Sequence, residues 1–326
     1  MDPNTTVDPN NILSAKGLVV AITGGGSGIG LAMASAMAQT GAKRIYLLGR
    51  RADVLSAACQ TLNALPNVAA ADTAMPLPTD ITSRASVAAA AAAIERDSGH
   101  LDVLVNNAGK TGPPNKPALE ARSVAELQGI LLNGFDDDDD GDGGDWLDTL
   151  RTNTASVALV TASFLHLLDA GNARRGWRAG RVEAGATRAR AWTRESGERE
   201  GVDEGDLRTS QVLTVASIAG FNRHVTAGVA YSASKAAAVH VGKVLATLLV
   251  PWGVRSNVVA PGVYPSAMTG EHDQEYPVSQ VPAGRKGSFD DIAGLILYMV
   301  GKGGSYLNGS VQVTDGGRLS GFPSTY

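Results

Sequence analysis

The chain has 326 residues, of which 44% are hydrophobic and 18% charged, with a formal net charge of -4. This composition indicates a globular protein with a substantial core, and we expect one domain over residues 17–326 behind a flexible tail, residues 1–16. The single cysteine, Cys59, excludes intrachain disulfides and paired-cysteine metal sites, and the slightly acidic charge disfavours nucleic acid as a partner.

The N-terminal residues are polar, with neither a basic start nor an apolar run, and no stretch of about 18 apolar residues is free of charge. We therefore expect neither a secretory signal nor a membrane span. A cytoplasmic location and a small-molecule partner follow from these expectations.

Short β-rich runs alternate along the chain with longer alanine-rich runs that suit helices. The expected strands are Leu18–Thr23, Arg44–Gly49, Leu101–Asn106, Gln211–Ser217, Val254–Ala260 and Ser310–Thr314. The expected helices are Ile29–Thr40, Ala52–Asn63, Arg84–Ser98, Trp146–Leu168, Ala230–Leu249 and Phe289–Met299. Because most of these strands are apolar on both faces and alternate with helices, the pattern predicts a doubly wound α/β fold, a single parallel sheet with helices on both faces.

Two stretches interrupt this alternation. Residues 136–145 contain seven aspartates and three glycines, which predicts a solvated loop; a calcium loop would need a glutamate at a fixed position after its aspartates. Residues 174–209 contain nine arginines and seven acidic residues with few apolar ones, which predicts a disordered insertion. A functional segment, or a retained intron, would have the same composition.

A glycine-rich segment, Thr23-Gly24-Gly25-Gly26-Ser27-Gly28-Ile29-Gly30, lies between the first predicted strand and the first predicted helix. Glycines there permit a tight turn and a close approach to a pyrophosphate, and the helix N-terminus offers free N–H groups. The alternative is a flexible loop without a ligand. The candidate cofactor contacts in this segment are Thr23, Gly24, Ser27, Gly28, Ile29 and Gly30.

The second predicted strand ends in Gly49-Arg50-Arg51, about 20 residues beyond the glycines, where an NAD-binding protein carries a carboxylate. A carboxylate would repel a 2′-phosphate, whereas a guanidinium binds it through paired hydrogen bonds. The sequence therefore favours NADP(H), with Arg50 as the candidate contact. The alternative is that both arginines are ordinary solvated residues at the start of a helix.

Tyr231 and Lys235 are four residues apart at the start of a predicted helix, so both side chains project from one face. A nearby ammonium lowers the pKa of a phenol, which predicts that Lys235 makes Tyr231 a usable proton donor. Ser217 ends a predicted strand at the sheet edge where ligands bind, and its hydroxyl can hydrogen-bond a substrate oxygen. The alternatives are a surface Tyr–Lys pair and a serine that caps a turn.

Taken in this order, these motifs resemble the short-chain dehydrogenase/reductase family. The resemblance covers nearly the whole chain outside the tail and the two insertions, and it rests on Thr23–Gly30, Asp80-Ile81, Asn106–Gly109, Asn153, Ser217, Tyr231–Lys235 and Pro261-Gly262. It implies a Rossmann fold in which Lys235 also holds the nicotinamide ribose. It further implies that Asn153 orders a water joining Lys235 to solvent, with a plain packing role as the alternative.

The resemblance implies further cofactor contacts. Asp80 would accept a hydrogen bond from the adenine amino group, with Ile81 against the ring, unless Asp80 caps a helix. The segment after the fourth strand would lie along the cofactor, and the one after the sixth would form a mobile loop over nicotinamide and substrate. The candidates in these two segments are Asn107, Ala108 and Gly109, then Pro261, Gly262, Tyr264, Ser266 and Thr269.

We therefore expect an NADPH-dependent reductase of a ketone or β-ketoacyl-type substrate, with Tyr231 as the proton donor and no metal. The downstream half is most similar to fungal 3-oxoacyl-carrier-protein reductase-like members of the family, and the resemblance implies a homodimer or homotetramer. The alternatives are an NADP-dependent alcohol dehydrogenase working oxidatively and a non-catalytic NADPH-binding regulatory protein. Intact Ser217, Tyr231 and Lys235 favour an enzyme.

Overall fold

The computed structural model describes residues 6–325 apart from residues 69, 136–145, 201, 226, 267, 268 and 270–274. Within these residues a seven-stranded parallel sheet has the order β3-β2-β1-β4-β5-β6-β7. The strands are β1 (Val19–Thr23), β2 (Arg44–Gly49), β3 (Ala74–Pro78), β4 (Val103–Asn106), β5 (Gln211–Val215), β6 (Arg255–Pro261) and β7 (Val311–Thr314). This topology confirms the predicted doubly wound fold.

Helices cover both faces of the sheet. The α-helices of the described residues are α1 (Pro9–Ile12), α2 (Gly28–Gln39), α3 (Ala52–Asn63), α4 (Arg84–Ser98), α5 (Val124–Leu132), α6 (Trp146–Leu150), α7 (Ser156–Arg174), α8 (Arg194–Glu200), α9 (Val229–Leu248), α10 (Phe289–Val300) and α11 (Arg318–Gly321). Of these, α2, α3 and α10 cover one face of the sheet, and α4, α7 and α9 cover the other. A hydrophobic core lies on each face of the sheet, and successive side chains of β1 point into opposite cores. Ile22 belongs to the core with α2, α3 and α10, whereas Ala21 belongs to the core with α4, α7 and α9. Both faces of the central strands are therefore buried.

The sequence prediction missed β3, whose five residues include Pro76 and Pro78. Proline lacks the backbone N–H of a sheet ladder, so it is tolerated on edge strands and bulges. The structure places β3 at the edge of the sheet, paired with β2 on one side. Composition therefore argues against a strand that the tertiary structure accommodates.

The predicted helix Trp146–Leu168 is interrupted by a π-helical turn, Arg151–Ala155, and then continues to Arg174. Taken together, Trp146–Arg174 is long and apolar enough to cross a membrane, which the sequence analysis did not anticipate, and 44% of its most apolar window is buried. Phe164 and Leu168 of this helix pack in the core beside the sheet. A core helix of this kind has the same length and apolarity as a spanning helix.

The described residues of the arginine-rich segment 174–209 make specific contacts with the rest of the chain, and its disorder stays a prediction. Its two ends are anchored at the amino edge of the sheet, where Arg175 and Asp206 are each only 2% exposed. Arg175 Nη2 lies 3.0 Å from Asp102 Oδ1, and Arg208 donates two 2.8 Å hydrogen bonds to Asp206. Paired carboxylates make burial of these guanidinium groups possible.

The other two predicted irregular regions have different outcomes. Part of the tail is regular, since α1 lies within it and Ala15 is buried. The aspartate-rich stretch 136–145 lies outside the described residues.

Candidate active site

A cavity of about 600 Å³ lies at the carboxyl edge of the sheet. The ends of β1, β2, β4, β5 and β6 converge there, as expected for the ligand site of an open parallel sheet. Most of the sequence-predicted site residues line it: Gly24, Ser27, Gly28, Ile29, Arg50, Asn107, Ala108, Gly109, Ser217, Tyr231, Lys235, Pro261, Gly262, Tyr264, Ser266 and Thr269.

The glycine-rich turn forms one end of the cavity. Gly24 and Gly28 have φ angles of +65° and +52°, and a Cβ atom at position 30 would lie 2.5 Å from the carbonyl oxygen of Gly24. Gly30 therefore does not line the cavity but permits α2 to pack against the turn. Ser27 is the N-cap of α2 and makes no side-chain capping hydrogen bond, and Ser27, Gly28 and Ile29 line the cavity, so the uncapped start of the helix forms part of its wall.

Thr23 stabilises the glycine-rich turn through hydrogen bonds to the end of β4. Its hydroxyl oxygen accepts hydrogen bonds from the backbone N–H groups of Asn107 (2.9 Å) and Ala108 (3.0 Å). Asn107 Nδ2 in turn donates to the carbonyl oxygens of Thr23 and Gly24, at 3.0 and 3.2 Å. These contacts join the ends of β1 and β4, so Thr23 is a supporting residue and does not line the cavity.

The described charged side chains that line the cavity are all cationic. Arg50, Arg51 and Lys235 line the cavity, and no carboxylate among the described residues does so. Arg50 and Arg51 are exposed at the start of α3, and neither guanidinium is within ion-pair distance of a carboxylate in the described part of the chain, although Arg50 is near enough to Asp80 to help lower the pKa of that carboxyl. The cavity is therefore suited to an anionic ligand.

Ser217, Tyr231 and Lys235 meet at the other end of the cavity. The Ser217 hydroxyl is near enough to Tyr231 to lower the pKa of the phenol, and its oxygen accepts a hydrogen bond from the N–H of Ala219, so the turn-capping alternative holds as well. Lys235 Nζ donates to the carbonyl oxygen of Val215 at 3.0 Å and lies 5.8 Å from the centre of the Tyr231 ring. The four-residue spacing thus places both side chains on one face of α9, as predicted.

The predicted acidity of Tyr231 is wrong for this structure. Burial raises the pKa of Tyr231, and the hydrogen bond from Ser217 offsets only part of that rise. Burial also lowers the pKa of Lys235 to about 8. Because the ammonium faces a carbonyl oxygen and the tyrosine ring, desolvation decides the protonation state of the phenol, and Tyr231 keeps its proton at neutral pH.

Asn153 lies beside this group without lining the cavity. It is 2% exposed in the π-helical turn, where Nδ2 donates to the Lys110 carbonyl oxygen and to Ser234 Oγ, and Oδ1 accepts from the Lys110 N–H. A Cβ atom at position 109 would lie 3.0 Å from Asn153 Oδ1 and 3.3 Å from Lys235 Nζ. Asn153 and Lys235 therefore flank the cavity wall at Gly109.

Asp80 and Ile81 do not line the cavity. Asp80 Oδ1 accepts hydrogen bonds from the backbone and side chain of Thr82, and these contacts lower the pKa of Asp80. Ile81 is buried in the core that contains α4 and α7. Ser83 caps α4, so the structure does not bear out the helix-cap alternative for Asp80.

The loop after β6 closes the cavity above Lys235. Tyr264 is buried, and its hydroxyl lies 2.6 Å from Thr314 Oγ1. Thr269 hydrogen-bonds to the Tyr264 carbonyl oxygen and lies 3.1 Å from Ser266 Oγ, and its own carbonyl oxygen accepts from Lys286 Nζ. These contacts hold the described loop residues at the cavity mouth.

Several residues that line the cavity are not among those predicted from the sequence. They are Gly26, Leu48, Gly49, Arg51, Val54, Leu55, Val215 and Ala216. The rule that ligands bind beyond the carboxyl ends of parallel strands points to the strand-end members of this set. Val54 and Leu55 carry no such signal, because only the packing of α3 beside the glycine turn places them there.

Comparison with known proteins extends these observations. A family model described as short chain dehydrogenase matches residues 18–176, and one described as enoyl-(acyl carrier protein) reductase matches residues 202–318. The chain is 34% identical to short-chain dehydrogenase/reductase PhomF of Diaporthe leptostromiformis, over 97% of this chain and 96% of that protein. It is 27% identical to the rhamnolipids biosynthesis 3-oxoacyl-[acyl-carrier-protein] reductase of Pseudomonas aeruginosa, over 93% and 97%.

A solved structure has the same architecture. The active-site complex of Pseudomonas aeruginosa RhlG with NADP superposes with a TM-score of 0.69 and 26% sequence identity. The match covers 94% of this chain and 98% of that one.

Proposed function

The chain belongs to the short-chain dehydrogenase/reductase family of oxidoreductases, and from this premise we propose that it is an NADPH-dependent reductase that converts a ketone into an alcohol. One observation carries the proposal: Tyr231, Ser217 and Lys235 line the same cavity as the start of α2, whose N-cap makes no side-chain capping hydrogen bond. A proton donor and a dinucleotide-binding turn in one cavity are the two requirements of such a reaction.

The cavity fits NADP(H) on the basis of its own lining. The backbone around Ser27 and Gly28 at the start of α2 would hold the pyrophosphate, and Arg50 with Arg51 would hold the 2′-phosphate. Lys235 would contact the nicotinamide ribose. The RhlG structure, an active-site complex with NADP, supports this choice. When bound, NADPH would supply the hydride that the carbonyl carbon accepts.

The protein's own side chains would handle the proton. Ser217 would hydrogen-bond the carbonyl oxygen as negative charge develops there, and Tyr231 would donate its phenolic proton to that oxygen. Lys235, still largely an ammonium at neutral pH, would stabilise the resulting phenolate. Asn153, across Gly109 from Lys235, would help to return a proton from solvent to Tyr231.

The oxidative alternative would use the same residues in reverse, with Tyr231 as the base. We favour reduction because NADPH commonly serves as a hydride donor. The regulatory alternative is also weaker, because a protein that only binds NADPH has no need of a proton donor beside Ser217 and Lys235.

The substrate class that we propose is a β-ketoacyl thioester or a polyketide-type ketone, as part of secondary metabolism. The name of the Pseudomonas aeruginosa relative specifies a 3-oxoacyl substrate, which supports this class for the present chain. Val215 and Ala216 line the cavity beside Ser217 and would contact the nonpolar part of such a substrate.

We also propose that the protein is a cytoplasmic homodimer or homotetramer. Several large apolar side chains are exposed on the outer side of α9 and in the turn after it, namely Val244, Leu248, Val250 and Trp252. A second copy of the chain would bury them.

The test is a steady-state assay with NADPH and NADH against β-keto thioesters and simple ketones, following the cofactor absorbance. We expect reduction with NADPH, and we expect Tyr231→Phe to lower kcat by about 10²–10⁴-fold, the usual contribution of a general acid. NADPH affinity, measured by fluorescence, should change little. Tyr298→Phe on α10 is the matched control and should behave as the wild type. Absence of reduction, or full activity of Tyr231→Phe, would contradict the proposal.

A further inference from the structure

Asn115 is a buried amide that joins two helices from a loop between them. It is 1% exposed, and its Oδ1 accepts a hydrogen bond from the Val229 N–H at 3.1 Å. Its Nδ2 donates to the carbonyl oxygen of Ile130 at 2.8 Å. One arm therefore reaches the first residue of α9 and the other the last turn of α5.

The first arm supplies a cap that α9 lacks in its own sequence. Gly228, the N-cap of α9, has no side chain, so no local group accepts the first N–H of the helix. Asn115 accepts this N–H from a distant loop, so it satisfies one of the N–H groups that the start of the helix leaves without an intrahelical partner. Tyr231 is two residues beyond Val229, so the cap holds the helical turn that carries the phenol.

The loop around Asn115 fits closely against this turn. A Cβ atom at position 228 would lie 2.5 Å from the carbonyl oxygen of Pro113, and the φ angle of Gly228 is +131°. The backbone of the loop therefore touches the start of α9 directly. A displacement of the loop would shift the start of the helix, because close-packed contacts transmit movement.

The second arm anchors a weakly held helix. No residue of α5 is buried, and Val124 and Leu132 are 82% and 55% exposed. The carbonyl oxygen of Ile130 is one of those that a helix C-terminus leaves without an intrahelical partner. The hydrogen bond from Asn115 satisfies it and ties α5 to the loop.

We propose that Asn115 is a positioning residue for Tyr231. Its side chain accepts the first N–H of α9, the helix that carries Tyr231, and donates to the last turn of the surface helix α5, so it connects the two helices. The inference rests on the proposed function, since it assigns Asn115 a role in the proton-transfer step. Asn115 itself does not line the cavity.

Two substitutions test the two hydrogen bonds of Asn115 separately. Asn115→Asp retains an acceptor for the Val229 N–H, and a carboxylate is favourable at a helix N-terminus, but it loses the donor to Ile130. Asn115→Ala loses both arms. Asn63→Ala is the control, because Asn63 likewise makes two hydrogen bonds, both with the backbone of Ala74 and far from α9.

We expect Asn115→Ala to lower kcat about tenfold, because small displacements of a reacting group are costly, with KM for NADPH unchanged. Asn115→Asp should keep kcat within about twofold of the wild type. Hydrogen exchange should increase at the start of α9 in Asn115→Ala alone, and at the end of α5 in both variants. Asn63→Ala should lower the Tm and leave kcat unchanged.

The outcomes are distinguishable. A wild-type protein without reductase activity would overturn the proposed function. An active wild type, with the expected exchange pattern but equal kcat in all variants, would overturn the positioning role alone. A kcat that falls equally in Asn115→Asp and Asn115→Ala, with α9 still protected in the aspartate variant, would also overturn it.

Discussion

The carboxyl and amino edges of the sheet differ in whether their cationic side chains form ion pairs. At the carboxyl edge, Arg50, Arg51 and Lys235 surround a cavity that no described carboxylate lines. At the amino edge, Arg175 and Arg208 are buried against Asp102 and Asp206. Both edges belong to the same seven strands, so strand order does not explain the difference.

The difference lies in where each group finds its partner. Burial favours the neutral form of Asp102, but Arg175 and Arg174 outweigh it and hold the pKa of that carboxyl below its usual range. Internal pairing thus offsets part of the positive charge at the amino edge, where Arg255 is also buried and has only amide and carbonyl oxygens as partners, and it ties the arginine-rich segment to the sheet. The exposed arginines of the carboxyl edge stay hydrated and available to an external anion.

The largest expected effect tests the amino edge. Asp102→Asn should lower the free energy of unfolding by about 3–5 kcal/mol, because it leaves buried guanidinium groups without their counter-charge. Urea unfolding measures the loss. Asp203→Asn is the control, since Asp203 lies in the arginine-rich segment and pairs with Lys302 while its carboxylate is mostly exposed, and it should lose much less. Equal losses would mean that the buried cluster has no special role.

The same pairing predicts the acid response of the wild type. Since the folded pKa of Asp102 is below the unfolded value, its stabilisation is complete above about pH 4 and is lost as the pH falls through the folded pKa. In Asp102→Asn that part of the acid dependence should disappear.

A smaller effect tests the carboxyl edge. Arg50→Ala should raise KM for NADPH by about 10- to 100-fold, the loss of charge-assisted hydrogen bonds of about 1.5–3 kcal/mol, and leave the unfolding free energy almost unchanged. KM for NADH should not rise. Arg96→Ala, an exposed arginine in the last turn of α4, should alter neither constant. An equal rise in KM for NADPH and for NADH would show that Arg50 does not bind the 2′-phosphate.

The smallest effect concerns pH. Because burial lowers the pKa of Lys235 to about 8, ketone reduction should decline above pH 8 and be about tenfold slower at pH 9. The unfolded chain holds this proton up to about pH 10.5, so the contribution of Lys235 to the unfolding free energy should rise between pH 8 and 10.5. A pH–rate profile checks the first statement, and Lys235→Met should abolish the alkaline limb. A profile flat to pH 10 would contradict the assignment.

Much of the candidate site was predictable, because its groups are coded by short segments. The turn from Gly24 to Gly28 needs only local backbone geometry and the start of a helix. Tyr231 and Lys235 share a face because helical spacing places side chains four residues apart together. The roles of these residues in catalysis and cofactor binding remain predictions that the experiments above test.

Other features were not predictable in the same way. The edge strand Ala74–Pro78 contradicts its own composition and depends on β2 as a partner. Asn115 matches no catalytic motif, and its importance appears only when α5 and α9 are both in place. The raised pKa of Tyr231 likewise depends on how deeply the folded chain buries the phenol.

The amino-acid sequence by itself determined the alternation of strands and helices, the phosphate-binding turn and the Tyr231–Lys235 pair, since each depends on neighbours within a few residues. Only the tertiary structure decided which charges are neutralised and which remain available. Asp102 meets Arg175 from another part of the chain, whereas Arg50 forms no ion pair with a described carboxylate. Desolvation and pairing are properties of the surroundings that distant segments create together, and no local pattern encodes them.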